Sequence, residues 1–505
     1  MGAPDAAPRT REDSAIDTRT APDDSAIVVG AGPNGLAAAV TLARAGVRVT
    51  VFERAAKPGG GATTAELTRA GFRHDVCSAV HPLAFESPFF RAFGLRERVS
   101  FAVPDVSFAH PLDGGRAGIA YRDLDLTRAE LGRDGRAYGA LVGSLARHAD
   151  RVAEWTGSTL LRVPPHPLTA LQLAAATFAQ GTGLWNVGFR DAAAPALLTG
   201  AAAHAILPLP GLAAAGAGLA LSAYAHAQGW PIPIGGSQAI TDALVADLRA
   251  HGGTLVTDHE VTSLAELPPA RAVLLDVTPR ALLRLADRDV PARYRRMLER
   301  FRHGGAIAKV DFALSEPVPW VHPELRRAGT IHVGGTREEI AAAENDVARG
   351  RLPERPYVLV SQPSLFDPTR APEGRHTLWT YTHVPFGSST DRQEAVIAQL
   401  ERFAPGFRDT ILATSSRTAV DVAHHNPNYI GGDISAGTPD LRQLLRRPVL
   451  ARDPWRTPLP GVYLASASTS PGPGVHGLAG WHAALSALRH EFGPVAAGAG
   501  AEPER

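Results

Sequence analysis

The pattern of apolar and polar positions first becomes regular at residue 25. Residues 25–53 pass through a β-branched segment, a glycine-rich turn, a helix-length segment of Ala and Leu, and a second β-branched segment. Two strand-like runs on either side of a helical run are typical of a βαβ unit. A second glycine cluster, at residues 57–64, follows directly and indicates backbone that lies close to another group.

The middle of the chain changes character twice. Residues 168–228 are rich in Ala and Leu and low in charge, which predicts several buried helices or helices that line a groove. Residues 229–264 then predict a glycine-rich turn, an amphipathic helix that ends at Gly252 and Gly253, and a strand. Because a further strand is predicted at residues 270–278, we expect the chain to return to its first sheet after a long excursion.

The C-terminal part of the chain shows two more patterns. Residues 305–430 contain strand candidates separated by turn residues, which favours an antiparallel sheet in a second domain. Residues 460–492 predict a strand, a turn rich in Gly and Pro, and a helix. This segment therefore repeats the order of elements at the N-terminal unit.

Composition narrows the class of protein. The chain has 505 residues, more than one hydrophobic core usually supports, so at least two domains are expected. The net charge is +1 and both signs are interspersed, which argues against a nucleic-acid-binding face. Cys77 is the only cysteine, so a redox disulfide within the chain is excluded.

Neither the start of the chain nor its longest apolar stretch predicts membrane insertion. Residues 1–23 lack the apolar core of a signal peptide, and we expect them to be a disordered tail of a cytoplasmic protein. The stretch 207–227 is interrupted by Pro208, Pro210 and several glycines, which favours buried helices over a spanning anchor. Shallow docking of the protein on a membrane surface stays an open alternative.

The glycine-rich turn carries the most specific motif of the chain. Its glycines have the Gly-x-Gly-x-x-Gly spacing of dinucleotide-binding loops, and Glu53 ends the following strand 18 positions after the third glycine. The first glycine allows a tight turn, the second lets a pyrophosphate approach the backbone, and the third lets helix and strand pack closely. A carboxylate at Glu53 would accept hydrogen bonds from ribose hydroxyls. The loop consists of Gly30, Gly32, Pro33, Asn34 and Gly35.

Two neighbouring features favour FAD over NAD as the dinucleotide. The second glycine cluster follows the βαβ unit at once, and a glycine-rich turn near the C-terminus could cover a flavin ring. Both features suit an extended ligand that stays bound. No second dinucleotide fingerprint is present, which makes oxygen or a quinone a more suitable electron acceptor than NADPH.

Several segments resemble a known family. They are VVGAGPNGLAAAVTLARAG, VFER, GWPIPIGGSQAITDAL, HHNPNYIGGDISAG and TPLPGVYLASASTSPGPGVHGLAGWHAA. Together they are similar to the phytoene desaturase-related FAD-dependent oxidoreductases, above all to the branch of pyridine nucleotide-disulfide oxidoreductase domain protein 2, and more distantly to carotenoid desaturases and ketolases. The resemblance covers about residues 25–490.

The resemblance implies an α/β fold. It consists of a three-layer, Rossmann-type FAD-binding domain of the glutathione reductase and amine oxidase type, with an inserted α+β substrate domain that contains an antiparallel sheet and helices. The FAD-binding domain is then expected at residues 25–80, 229–290 and 431–490, the substrate domain at 81–228 and 291–430, and disordered tails at 1–24 and 491–505.

The resemblance also assigns residues to the cofactor. The glycine loop would hold the pyrophosphate, Glu53 and Arg54 the adenosine, and Val261, expected on the strand after Gly253, would meet adenine through its backbone. Two further sets would lie along the flavin: Gly60, Gly61 and Ala62, and, within the C-terminal turn, Ser466, Ser468, Gly474 and Val475.

Catalytic side chains are harder to assign. His476 is our candidate, because its turn should face the flavin ring, and four more residues are placed on the substrate side by the resemblance: His81, His110, Tyr429 and Trp481. A packing or hydrogen-bonding role is favoured for any single one of them. The pair His424 and His425 is interpreted as a solvated loop, and no metal site is predicted.

Three functions are compatible with this pattern. The first is an oxidoreductase that desaturates or oxidises an apolar metabolite, such as a polyene, carotenoid-like or polyketide-derived compound, by hydride transfer to FAD. The second is a flavin-dependent isomerase without net redox chemistry, and the third is a binding or escort protein with the same fold. The substrate, the reaction subtype, the electron acceptor and the oligomeric state are left open by the sequence.

Overall fold

The nucleotide-binding half is built on a parallel sheet. The computed structural model describes residues 24–286 and 289–493. The first three elements are β1 (Ser25–Val29), α1 (Pro33–Arg44) and β2 (Arg48–Phe52). Strand β1 is buried on both faces: Ala26 and Val28 pack in one apolar cluster, while Ile27 and Val29 pack in another. Continuous apolar strands of this kind need a layer of helices on each side.

The remaining elements follow in chain order. The strands are β3 (Thr64–Glu66), β4 (Arg73–Asp75), β5 (Phe101–Ala102), β6 (Val106–Leu112), β7 (Arg116–Tyr121), β8 (Ile232–Pro233), β9 (Thr254–Val256), β10 (Ala272–Leu275), β11 (Ala306–Leu314), β12 (Ala328–Val333), β13 (Val358–Ser361), β14 (His376–Val384), β15 (Ile411–Arg417) and β16 (Val462–Leu464). The helices are α2 (Pro88–Phe93), α3 (Leu95–Arg98), α4 (Leu124–Glu130), α5 (Gly135–Arg147), α6 (Ala149–Thr156), α7 (Pro167–Gly181), α8 (Ala193–Ala203), α9 (Leu212–Ala227), α10 (Gln238–Ala250), α11 (Pro279–Leu285), α12 (Ala292–Glu299), α13 (Arg337–Ala348), α14 (Gln393–Glu401), α15 (Ala419–His425), α16 (Leu441–Leu444) and α17 (Leu478–Ala487).

The first sheet gathers strands from three distant parts of the chain. Its order is β16-β10-β1-β2-β9, and every neighbouring pair is parallel. Helices α1, α10 and α17 cover one face, and α11 and α12 cover the other. Helix α17 packs so tightly on α1 that a Cβ on Gly480 would lie 1.7 Å from the carbonyl oxygen of Asn34. The later strands β9, β10 and β16 therefore join the sheet of the N-terminal unit, as expected.

The second half is a seven-stranded sheet with helices on it. Its order is β15-β11-β14-β13-β12-β6-β7, antiparallel except where β12 runs parallel to β6. Strand β11 coincides with the predicted segment AIAKVDFAL and pairs with β14 along its whole length. Helices α7, α8 and α9 form the apolar layer predicted for residues 168–228, and Leu197 of α8 packs over Gly118 of β7.

A few expectations differ from the structure at local points. His424 and His425 are exposed as predicted, but they form the last turn of α15 and not a loop, because Thr418 and Asp421 make a capping box that starts this helix. A π-helical turn at Leu488–Phe492 extends two residues into the predicted C-terminal tail. The rest of both predicted tails, residues 1–23 and 494–505, lies outside the described residues. Among the described helices, none is long and apolar enough to span a bilayer.

Candidate functional site

The nucleotide loop has the close packing that its glycines predict. Gly30 has a φ of +99° and donates its N–H to the carbonyl oxygen of Phe52 at 2.8 Å. A Cβ on Gly35 would lie 2.0 Å from the carbonyl oxygen of Gly30, so only glycine fits there. Helix α1 begins directly after Gly32, with Pro33 in its first turn. Its free N–H groups and positive dipole end face the loop, which suits a bound pyrophosphate.

Glu53 lies at the edge of this loop. Its carboxylate accepts one hydrogen bond from the Ala31 N–H at 2.7 Å and another from the Ala55 N–H at 2.8 Å. A carboxylate has further lone pairs, so these two bonds hold it in place and leave acceptors for ribose hydroxyls. The half-exposed Arg54 side chain lies 3.9 Å from Glu260 at the surface.

Asp276 joins the loop from the carboxyl end of β10 and was missed by sequence reasoning. Its Oδ2 accepts the Gly35 N–H at 2.9 Å and would lie 2.7 Å from a Cβ on Gly32. Burial, with a smaller contribution from the nearby Glu53 carboxylate, raises the pKa of Asp276 to about 7, against the opposing effect of the Gly35 hydrogen bond. The sequence could have pointed to Asp276 only through its position directly after a predicted strand, since ligands of α/β sheets bind at the carboxyl ends of strands.

The second glycine cluster extends the same surface. A Cβ on Gly60 would lie 3.3 Å from the Gly32 Cα, and one on Gly61 would lie 2.1 Å from the Tyr429 hydroxyl. The Ala62 carbonyl accepts a hydrogen bond from Thr241 Oγ1 at 3.0 Å, which ties the cluster to α10. Backbone atoms therefore form the wall next to the nucleotide loop.

The expected position of Val261 is wrong in one respect. Strand β9 ends at Val256, and Val261 lies beyond it in an irregular segment. The chain leaves the strand at Asp258, whose φ is +55°, and the His259 N–H then bonds to the Glu53 carbonyl at 2.9 Å. Val261 still packs in the apolar cluster with Val256, close to the adenosine side of the loop.

The C-terminal turn forms another wall and holds its own histidine. Ser466 Oγ donates to the Val277 carbonyl at 2.7 Å, and Ser468 Oγ donates to the Ala436 carbonyl at 2.7 Å. His476 Nδ1 accepts the Leu478 N–H at 3.0 Å, and burial lowers the pKa of this histidine to about 4. His476 therefore has a hydrogen-bonding role in the turn, and its catalytic role stays a prediction.

A cavity of about 770 Å³ connects the nucleotide loop with the seven-stranded sheet. It begins at the loop and the C-terminal turn and continues between α7, α9 and the sheet. The walls include Gly32, Pro33, Asn34, Gly60, Gly61, Asp276, Ser466, Gly474, Val475 and His476 at one end, and Leu173, Thr177, Phe178, Ala217, Ala220, Tyr224, Leu359, Trp379 and Tyr381 at the other. The second group is mainly apolar, as the Ala- and Leu-rich segment predicts.

Two of the four predicted substrate-side residues line this cavity. His81 does so, and its Nε2 lies 2.8 Å from Ser237 Oγ, which itself donates to the Ser78 carbonyl. His81 must therefore donate through Nε2, and its Nδ1 keeps a lone pair without a partner among the described residues. Burial lowers the pKa of His81 to about 4, so this lone pair is available at neutral pH.

Tyr429 also lines the cavity, over Gly61, and burial raises the pKa of its hydroxyl well above the usual range. His110 and Trp481 lie elsewhere. His110 is buried on β6 with Nε2 2.6 Å from the Gly335 carbonyl, and Trp481 packs against Phe89 on the outer side of α17. Sequence reasoning missed His204, Trp379 and Tyr381, which line the cavity from segments without any motif.

Comparisons with known proteins agree with this geometry. Residues 28–93 match the model of the NAD(P)-binding Rossmann-like domain. Pyridine nucleotide-disulfide oxidoreductase domain-containing protein 2 of Rattus norvegicus is 25% identical over 93% of this chain and 94% of its own. The phytoene dehydrogenase of Streptomyces griseus is 28% identical, over 78% of this chain and 79% of its own. The chain is a distant relative of these oxidoreductases.

The fold has solved counterparts as well. A putrescine oxidase with redesigned cofactor binding superposes with a TM-score of 0.57 at 18% identity, over 92% of this chain and 98% of its own. The predicted family resemblance, the α/β fold class with its separate sheet domain, and the assignment of the chain as an oxidoreductase are thereby confirmed. Since Cys77 is the only cysteine, the disulfide in the name of the rat protein has no counterpart here.

Proposed function

We propose that this oxidoreductase uses FAD to dehydrogenate a largely apolar small molecule. The observation that carries the proposal is the cavity itself, which joins the nucleotide loop to an apolar chamber between α7, α9 and the seven-stranded sheet. Such a chamber removes apolar surface from water and holds the substrate beside the cofactor site.

The residues at the nucleotide end fit FAD. A Cβ on Gly32 would collide with Asp276, and one on Gly61 would collide with Tyr429, so side chains are absent where an extended cofactor would pass. Asn34 Oδ1 is buried at this end without a hydrogen-bond partner in the described part of the chain. Gly30 to Gly35 would hold the pyrophosphate and Glu53 the ribose. Bound FAD supplies a two-electron acceptor.

The chain itself supplies the binding chamber and a proton acceptor. Removal of two hydrogen atoms from a substrate releases at least one proton, which needs an acceptor when the cavity excludes water. His81 Nδ1 is an unpaired lone pair on a residue of the cavity wall and is the candidate acceptor, although the burial that lowers the His81 pKa to about 4 makes it a weak base. His81→Phe should therefore slow the oxidation while FAD stays bound.

The test begins with the absorption spectrum of the purified protein and mass analysis of the molecule that heat releases. We expect flavin bands and FAD. Anaerobic mixing with apolar polyenes and polyketide-derived compounds should then bleach the flavin as product forms. Product without bleaching would favour the isomerase instead, and a colourless protein that cannot be reconstituted with FAD would overturn the proposal.

We also propose that the rim of the cavity docks on an anionic membrane surface. Leu168, Leu171 and Phe178 of α7 are 77%, 66% and 57% exposed, and Leu441 of α16 is 44% exposed. Phe178 and Leu441 also line the cavity, so the apolar rim is continuous with the chamber. Residues 155–190 contain no Asp or Glu, and Arg442 and Arg446 are exposed beside Leu441. Apolar side chains flanked by arginines suit a surface of anionic lipids.

Vesicle sedimentation tests this docking. The protein should bind vesicles that contain phosphatidylglycerol more strongly than vesicles of phosphatidylcholine alone. The double variant Leu168→Ser, Leu171→Ser should reduce binding. The control Leu126→Ser with Val321→Ser removes apolar groups elsewhere that are 55% and 54% exposed, and it should not reduce binding. Equal binding by both double variants would overturn the docking proposal and leave the enzymatic one intact.

A further inference from the structure

Two histidines meet at the cavity wall formed by α8 and the seven-stranded sheet. His204 directly follows α8 and lines the cavity, whereas His332 is fully buried on β12. Their Nε2 atoms are 2.9 Å apart, which is a hydrogen-bond distance. Because a neutral imidazole carries one N–H, one ring must donate this bond and the other must accept it.

Both rings are neutral at physiological pH. Burial lowers the pKa of His204 to about 3, and the neighbouring His383 adds to this effect. Burial also lowers the pKa of His332 well below its usual value, with smaller contributions from His204 and His110. The pair therefore offers hydrogen bonds but no charge. An uncharged pair cannot offset the cost of burying a ligand's carboxylate or ammonium group, so it suits an uncharged ligand.

The surroundings of His332 decide which ring donates. His332 Nδ1 is buried without a hydrogen-bond partner among the described residues, and it would lie 2.7 Å from a Cβ on Gly200 of α8. An N–H at this position would be an orphaned buried donor, which is rarer and costlier in proteins than an unpaired acceptor. His332 thus carries its proton on Nε2 and donates to His204.

His204 must then carry its own proton on Nδ1. Within the described residues, the ring of His204 makes its hydrogen bond through Nε2, so the Nδ1–H has no protein acceptor. The ring is held edge-on against Trp230 with 5.7 Å between centroids, and Trp230 is fixed by its Nε1–H bond to the Leu221 carbonyl at 3.1 Å. His204 therefore presents an oriented, uncharged donor in a mainly apolar chamber.

We propose that the His204 Nδ1–H binds an uncharged oxygen acceptor, a carbonyl or hydroxyl oxygen, on the otherwise apolar substrate, and that His332 is the positioning residue that fixes the His204 tautomer. The inference rests on the proposed function, because it takes this cavity as the substrate site. A pure hydrocarbon would leave this buried donor without a partner. The cost of the unpaired donor would lower the affinity for the hydrocarbon relative to an analogue that carries the oxygen.

A matched pair of probes tests the inference by binding, without turnover. Undecanone and undecane, which have the same chain length, are titrated into the FAD-loaded protein and followed by the fluorescence of Trp230 and Trp379, which line the cavity. The measured quantity is the ratio of the Kd for the ketone to the Kd for the hydrocarbon. His204→Phe should raise this ratio about fivefold, the value of one hydrogen bond of about 1 kcal/mol.

Conservative variants separate hydrogen bonding from packing. His204→Asn keeps a donor near the Nδ1 position and should restore much of the wild-type ratio. His332→Phe should raise the ratio, and His332→Gln, which keeps a donor near Nε2, should lower it again. His226→Phe is the matched control, because His226 bonds to the Tyr138 hydroxyl at 2.9 Å and does not line the cavity.

The outcomes are distinct. An unchanged ratio in both His204→Phe and His332→Phe, with both probes still bound, overturns the inference and leaves the proposed function standing. Failure of the wild-type protein to bind either probe overturns the apolar substrate and the inference together. Equal thermal melting of His204→Asn and the wild-type protein ensures that a change in the ratio is not a folding defect.

Discussion

The two ends of the cavity are built by different means. At the nucleotide end, backbone groups and missing side chains form the site, as the closely packed Gly30 and Gly35 illustrate. At the substrate end, side chains such as His204, Trp379 and Tyr381 form it. A backbone site suits one ligand that stays bound, whereas a side-chain site can change its specificity without altering the fold. Such a division allows one fold to serve different substrates.

The first prediction breaks the nucleotide end by adding a side chain. Gly32→Val should weaken FAD binding about a hundredfold, since overpacking typically costs about 1–3 kcal/mol. Gly32 has a φ of −71°, which any residue adopts, and among the described residues a Cβ there would meet only the Asp276 carboxyl group within 4 Å, so the fold should survive. Purified Gly32→Val is expected to be colourless, with a melting curve like that of the apoprotein. Gly183→Val is the matched control, because a Cβ on Gly183 meets nothing within 4 Å; loss of flavin there would contradict the steric argument.

The second prediction breaks the substrate end and spares the cofactor. Ala217→Glu introduces a carboxylate into the apolar wall formed by α9. It should weaken binding of undecane about tenfold, because burying an unpaired charge costs more than the contacts return. The flavin spectrum should not change. Ala175→Glu places the same charge on the exposed side of α7 and should bind undecane like the wild type. If both variants bind equally, the chamber is not the apolar site.

The third prediction concerns the charge between the two ends. Asp276 faces the pyrophosphate loop, near Glu53 and Tyr429, and burial raises its pKa to about 7. Below this pH the neutral carboxyl group does not repel a pyrophosphate, whereas above it the carboxylate does. FAD affinity should therefore fall as pH rises through 7, by up to about tenfold per pH unit for one linked proton.

Asp276→Asn should remove this pH dependence while the amide oxygen still accepts the Gly35 N–H. Equilibrium titration of the apoprotein with FAD between about pH 6 and about pH 9, an interval that spans the raised pKa, measures the effect. Glu53→Gln removes a charge that helps to raise the Asp276 pKa, so this variant should keep the pH dependence and shift it to lower pH. A wild-type affinity that does not vary over this interval would show that Asp276 does not titrate at the loop.

The sequence predicts the nucleotide end better than the substrate end for a physical reason. The glycine loop, Glu53 and the helix between them lie within one continuous unit, so their spacing records the geometry. Asp276 bonds to Gly35 across 241 positions, and His204 bonds to His332 across 128. Neither pair has a local pattern, because side chains that meet only through tertiary packing impose no fixed spacing on the chain.

His476 shows a different case, in which a suitable residue type in a suitable turn predicts a catalytic role and the structure gives the same histidine a structural hydrogen bond. Burial lowers its pKa to about 4, and its Nδ1 accepts the Leu478 N–H at the start of α17. An asparagine oxygen can occupy nearly the same place as this nitrogen. The smallest effect is therefore expected for His476→Asn, less than about threefold in the rate of flavin reduction, as for a lost hydrogen bond worth about 0.5 kcal/mol.

Anaerobic stopped-flow measurements across the pH range distinguish structure from catalysis at His476. A structural histidine leaves the pH profile of the His476→Asn variant parallel to that of the wild type, since neither side chain exchanges a proton with the substrate. Loss of one limb of the profile would instead assign a proton transfer to His476. In that case a side chain at the nucleotide end would take part in proton transfer, while its backbone binds the cofactor. The two ends would then differ in how they bind their ligands but not in whether side chains take part in the reaction.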